Sequence, residues 1–101
     1  MTAVLFVRVK SGLEPDEFER RILERRPRFL DVPGLVQKIY GRAADGDLCG
    51  IYFFESADAL EAFRESDLAK TIAEAYEATD TRREVYEVLY PLYPDRGPVA
   101  D

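Results

Sequence analysis

Residues 3–9, Ala-Val-Leu-Phe-Val-Arg-Val, are β-branched and aromatic with no breaker, which predicts a buried strand that Ser11 and Gly12 terminate. Pro15 then stands where a first helical residue belongs. Asp16 and Glu17 follow it and suit the positive end of a helix dipole. The helix is expected over 15–29, with Phe18, Ile22 and Phe29 as the stripe that lies on a sheet and Pro27 ending or bending it.

Val32-Pro33-Gly34 reads as a turn, residues 35–44 as a second strand and residues 48–55 as a third, with Asp45-Gly46 as a tight-hairpin signal. A two-residue loop would set Gln37 across from Phe54, Ile39 from Tyr52 and Gly41 from Gly50 on one face. Lys38 with Phe53, Tyr40 with Ile51 and Arg42 with Cys49 would share the other. Ser56 is a helix N-cap before Ala57, and Leu60 and Phe63 share a face of the helix that follows. Ser66-Asp67 predicts a break and a further helical stretch over 67–79, with Leu68, Ile72 and Tyr76 inward. Residues 83–90 form the last strand.

The order βαββαβ predicts a ferredoxin-like α+β fold: a four-stranded antiparallel sheet, strands one and three central, both helices on one face. Both faces of the hairpin are largely apolar, and the helices of so small a domain cover only one of them. The second face is therefore expected to meet a partner sheet, giving a homodimeric α+β barrel. Residues 1–94 are read as a single domain, with 90–94 extended and 95–101 as a flexible tail.

Composition narrows the function classes. A chain of 101 residues with 47% hydrophobic residues supports one core without staples, and the lone Cys49 has no disulfide partner. The apolar stretch 3–9 is too short for a secretory signal and has no basic leader, so a cytoplasmic location is expected. Apolar runs such as 51–54 fall far short of a membrane span. Fourteen Lys and Arg against twenty Asp and Glu leave a net charge of −6, which disfavours nucleic acid. Arg20, Arg21, Arg25, Arg26 and Arg28, interleaved with Glu17, Glu19 and Glu24, read as a salt-bridged, solvated helix face.

Pro33-Gly34 before the second strand, the run Gly50-Ile51-Tyr52-Phe53-Phe54-Glu55-Ser56 leading into residues 57–63, and the break at Ser66-Asp67 together resemble the antibiotic-biosynthesis monooxygenase family. The resemblance covers nearly the whole chain. It implies homodimers with a ligand pocket between helices and sheet, and a superfamily that includes cofactor-independent oxygenases, haem-degrading enzymes, isomerases and cyclases. The pocket tryptophan of haem-degrading relatives would fall on Phe54 and their haem-ligating histidine near Ala73, and neither residue can do that work. The sequence contains no His, Asn or Trp, no glycine-rich phosphate loop and no dinucleotide fingerprint, so no cofactor and no metal are expected.

Tyr52, Tyr76 and Arg8 are the expected catalytic residues, and Phe6, Gln37, Phe54, Arg64 and Ile72 the expected substrate-binding ones. Tyr52 can donate a hydrogen bond to a substrate hydroxyl or enolate, or stand as a core residue with a satisfied phenol; Tyr76 faces the same two readings. Arg8, on a buried-looking strand, needs a partner, either Glu87 or an anionic ligand. Lys38 and Arg42 are assigned to the dimer interface or barrel end, Arg64 to the pocket mouth or solvent, and Cys49 to an inert thiol. The expected activity is a cofactor-independent monooxygenation of a small aromatic or polyketide-like substrate. The alternatives are a non-oxidative binding, cyclase or isomerase domain and a structural dimer with no open pocket.

Overall fold

The computed structural model describes residues 2–95 and 97–98. Four strands, β1 (Ala3–Ser11), β2 (Leu35–Arg42), β3 (Leu48–Phe54) and β4 (Ala78–Glu87), form one antiparallel sheet in the order β2-β3-β1-β4. The expected ferredoxin-like α+β fold is the observed one, with β1 and β3 central. Helix α1 (Pro15–Arg25) continues into a 3-10 turn (Arg26–Phe29), where Pro27 changes the helix type as expected. Helices α2 (Ala57–Arg64), α3 (Asp67–Lys70) and α4 (Ile72–Ala75) complete the layer. The short strands β5 (Leu92–Tyr93) and β6 (Gly97–Pro98) pair with each other, and the remainder of the tail expected to be flexible lies outside the described residues.

The serine caps work as their spacing predicts. Ser56 Oγ accepts from the Ala59 amide at 3.1 Å and Ser66 Oγ from the Ala69 amide at 3.2 Å, so the second helical region is broken where Ser66 competes for the backbone. That region ends before its expected limit at 79. Glu77 takes a left-handed conformation (φ 49°), and Arg21 holds the helix end by donating to the Ala75 carbonyl at 3.1 Å and pairing with Glu77 at 2.8 Å. Strand β4 therefore starts at Ala78 rather than 83.

One register expectation is overturned. The hairpin loop has three residues: the Ala43 amide donates to the Asp47 carbonyl at 2.8 Å, the Gly46 amide to the Ala43 carbonyl at 2.9 Å, and Gly46 takes φ 96°. Asp45 adds its own tie by accepting the Asp47 amide at 3.1 Å. Lys38 consequently pairs with Tyr52, Ile39 with Ile51, Tyr40 with Gly50 and Arg42 with Leu48, and Val36 bulges out of register. A one-residue slip reverses every side chain of a strand. Lys38, Tyr40 and Arg42 thus face the helices, and Gln37, Ile39 and Gly41 face away from them.

The helix-covered face holds the core. Leu5, Val7, Val9, Tyr52 and Phe54 meet Phe18, Phe29, Leu60, Phe63, Ile72 and Tyr76. Phe29, Tyr52, Phe54 and Phe63 form a connected set of rings with centroids 5.2–6.4 Å apart, and Phe18 pairs separately with Tyr76 at 5.7 Å, each fully buried apolar side chain contributing about 1.5–3 kcal/mol. The opposite face carries Val4, Phe6, Ile39, Ile51, Phe53 and Tyr86, all at least partly exposed.

Gly34 joins the 3-10 turn to β2 at φ 76°, accepts the Glu55 amide at 2.8 Å, and leaves only 2.5 Å between an added Cβ and Ala59 Cβ. Gly34→Ala is expected to destabilise the fold by about 1–3 kcal/mol. Thermal unfolding checks this, with Gly34→Ala/Ala59→Gly recovering the steric part but not the backbone strain.

Candidate functional site

Two clefts flank the aromatic core. The first lies between the β1–β4 side of the sheet and α2–α3, with a volume of about 300 Å³. Leu5, Val7, Phe63 and Ile72 make its apolar walls, and Arg64, Glu65, Lys70 and Arg83 its charged rim. Arg64 is held by Glu61 at 3.1 Å, and Lys70 lies 3.8 Å from Glu65. Arg83 has no carboxylate within ion-pair distance among the described residues. It also lies close enough to Tyr52 to bear on that phenol's ionisation.

The second cleft, about 270 Å³, opens between the 3-10 turn and the edge strand β2. Phe29, Leu30, Leu35 and Tyr40 line it together with Arg26 and Lys38. Between the clefts lies a small interior cavity of about 20 Å³, bounded by Val7, Ile72, Lys38, Tyr40, Tyr52 and Tyr76.

The corrected register brings Lys38 into this interior. Its Nζ lies 3.4 Å from the Phe29 ring centroid, 4.2 Å from Tyr40 and 4.5 Å from Tyr52. Burial, with a smaller contribution from the Arg25 guanidinium, pulls the ammonium down to about 7. The three ring faces act in the opposite sense, because an aromatic quadrupole favours the cation.

Lys38 stays half-buried, and a second unexpected inward cation, Arg25, is only 7% exposed. Its Nη2 donates to the Leu68 carbonyl at 3.2 Å, its guanidinium carbon lies 5.9 Å from the Tyr76 ring centroid, and its Nε has no hydrogen-bond partner among the described residues. Residues 18, 22, 25 and 29 fall on one helical stripe, so the spacing itself marked Arg25 as inward. Arg20 and Arg21, by contrast, pair with Glu17, as a solvated helix face should.

Tyr52 and Tyr76 are nearly inaccessible core residues. Burial, the largest cause in each case, raises both phenols, and it pushes Tyr40 up to about 12. All three are therefore protonated donors at neutral pH rather than bases. Tyr52, Phe54, Ile72 and Tyr76 come together under the helices as expected, and Arg64 stands at the mouth of the first cleft.

Phe6, Arg8 and Gln37 do not join them, since strand alternation and the β2 register direct all three to the far side of the sheet, though Gln37 still borders the second cleft at the sheet edge. Arg8 has partners other than those expected. Its Nε donates to Asp47 at 2.8 Å and its Nη2 to Asp45 at 2.6 Å, whereas Glu87 pairs with Ala3 at the other end of the strand. Arg42, assigned to the open face, instead reaches Glu19 of α1 at 3.8 Å.

No family model and no curated protein sequence matches the chain. Solved structures do. SnoaB, a cofactor-independent oxygenase from Streptomyces nogalater, superposes with a TM-score of 0.71 over 93% of this chain and 99% of its own, at 20% identity. A candidate antibiotic biosynthesis monooxygenase from Caulobacter crescentus gives a TM-score of 0.69 over 87% and 90% at 19% identity. A dimeric ferredoxin-like protein from Thermobifida fusca gives 0.66 over 86% and 92% at 12% identity. The fold is that of the antibiotic biosynthesis monooxygenases. Similarity at these identities carries the architecture and leaves the reaction to the residues of the cleft. Among the described residues no helix is long and apolar enough to cross a membrane.

The interior amine has a measurable signature. Between about pH 7 and 10.5 an unfolded lysine is protonated while Lys38 in the fold is neutral, so the unfolded state binds the extra proton and stability rises with pH across that window. The burial penalty is complete below pH 7. Lys38→Met is expected to stabilise the protein at pH 6 by on the order of a few kcal/mol, with the gain shrinking toward pH 10. Urea unfolding of both proteins at pH 6, 8 and 10 checks the sign and the slope.

Proposed function

We propose that the protein is a cofactor-independent monooxygenase that binds a small aromatic, enolisable substrate in the cleft between α2–α3 and the β1–β4 side of the sheet. The observation that carries this reading is an apolar slot edged by Arg83, a cation without a carboxylate partner among the described residues. A flat apolar anion, such as the enolate of an anthrone-like ketone, matches that combination of walls and rim. The similarity of the fold to that of SnoaB supports the reaction class.

The reaction balances with no group beyond substrate and dioxygen. Glu65, the carboxylate of the cleft wall, takes a proton from the substrate methylene, and Arg83 stabilises the enolate oxygen that results. The enolate passes one electron to dioxygen, and the substrate radical and superoxide then combine into a carbon–oxygen bond. Protonation gives a hydroperoxide, which loses the second methylene proton and hydroxide. The net change converts a methylene and dioxygen into a ketone and water. Phe63 and Ile72 wall the slot and Arg64 guards its mouth, while Tyr52 and Tyr76 line the small cavity behind Val7 and Ile72.

A non-oxidative isomerase or cyclase shares the first step. The Glu65–Lys70 pair, 3.8 Å apart on the rim, favours this second reading by offering a base and an acid together. Oxygen uptake with an anthrone substrate decides between them. The oxygenase reading expects uptake in air, and Arg83→Gln is expected to reduce kcat/KM by about tenfold or more. Absence of uptake, with solvent deuterium still entering the substrate anaerobically, would establish the isomerase class instead.

We also propose that the open sheet face, with Phe6, Ile51 and Phe53 at its centre, pairs with a second copy of the chain. Phe53→Glu is expected to turn a sedimenting dimer into a monomer with the same helical content.

A further inference from the structure

We propose that Lys38 is a nucleophilic amine that captures small apolar ketones or β-diketones as a covalent imine in the cleft between the 3-10 turn and β2. This site is separate from the Arg83 cleft and does not depend on the oxygenase reading.

Its geometry is that of an amine set in the wall of an apolar cleft. Lys38 Nζ lies against the rings of Phe29, Tyr40 and Tyr52, and its side chain forms part of the wall of an otherwise largely apolar cleft of about 270 Å³. The ionisable groups around it are Arg25 of α1, Arg26 of the 3-10 turn, Tyr40 of β2, Cys49 and Tyr52 of β3 and Tyr76 after α4. They include two cations, three phenols held protonated and one thiol, and among the described residues no carboxylate. An ammonium in that company gives up its proton more readily than one in water, and the free lone pair is the nucleophile. Desolvation and a neighbouring cation are the two conditions that activate a lysine, and both meet at this position.

The step needs no further reactant. The neutral amine adds to the carbonyl carbon, a proton moves to the oxygen to give a carbinolamine, and loss of one water leaves the carbon–nitrogen double bond. With a β-diketone the product tautomerises to an enaminone, which persists without a reductant. The ligand class follows from the walls. Phe29, Leu30 and Leu35 accommodate an apolar body, and Arg26 at the rim donates to the second oxygen of a β-diketone.

The chain contains three lysines, Lys10, Lys38 and Lys70, so the protein supplies its own reference amines. Lys10 and Lys70 are exposed, and each lies beside a carboxylate, Asp47 at 3.6 Å and Glu65 at 3.8 Å. The folded protein is treated with acetylacetone at pH 7, and the adduct, probe plus lysine less one water, is located by peptide mass spectrometry over a time course. Lys38 is expected to react at least about tenfold faster than Lys10 and Lys70, and that preference to vanish in urea. Lys38→Arg, which retains the charge, is expected to abolish the fast phase. Equal rates at the three lysines in the folded protein, or a fast phase that survives in Lys38→Arg, would overturn the proposal.

Discussion

The turn at Ala44–Gly46 governs more of this molecule than its three residues suggest. Asp45 binds the Asp47 amide, Gly46 adopts a backbone conformation closed to most side chains, and the loop thereby holds one more residue than a minimal hairpin. Side chains alternate along a strand, so that single residue decides which half of β2 enters the protein. It sends Lys38 and Tyr40 inward against Tyr52 and turns Gln37 and Ile39 out toward the open face.

The interior that results is unusual in its charge. Two cations, Lys38 and Arg25, lie against the rings of Phe29, Tyr40, Tyr52 and Tyr76, with no carboxylate among the described residues to pair them. Arg25 donates to a backbone carbonyl and lies near the Tyr76 ring, whereas Lys38 has only ring faces. The difference follows from chemistry: a guanidinium does not deprotonate in a protein, while a buried amine can relieve its desolvation by losing a proton. The core is therefore stable around one cation and chemically poised around the other.

The two sides of the sheet divide structure from chemistry. Phe6, Arg8 and Gln37, attractive as site residues in a linear reading, belong to the face that carries the apolar patch and the ion pairs of Arg8 with Asp45 and Asp47. The helix side holds the rings, the Arg83 cleft and the Lys38 cleft.

The chain order alone specified the fold, since breakers, caps and a strand-length apolar run are local signals. Pro15, Pro27, Gly34, Ser56 and Ser66 each act where their chemistry predicts, and the stripe Phe18–Ile22–Phe29 packs as its spacing requires. Tyr52, Phe54, Ile72 and Tyr76 were legible as one cluster for the same reason: inward parity on β3 and on the second helical region follows from sequence. The cation positions were not. Lys38 depends on a loop one residue longer than Asp-Gly suggests, and Arg25 belongs to an apolar stripe that its charge disguised. Arg83 joins the cleft because β4 pairs it with Val7, and β4 itself begins five residues early, behind a Glu77 reversal held by Arg21 of another element. Local propensity determined which segments are helix and strand. Tertiary contacts decided register, and register decided which charges lie beneath the helices, because parity is set by pairing between strands and not by either strand alone.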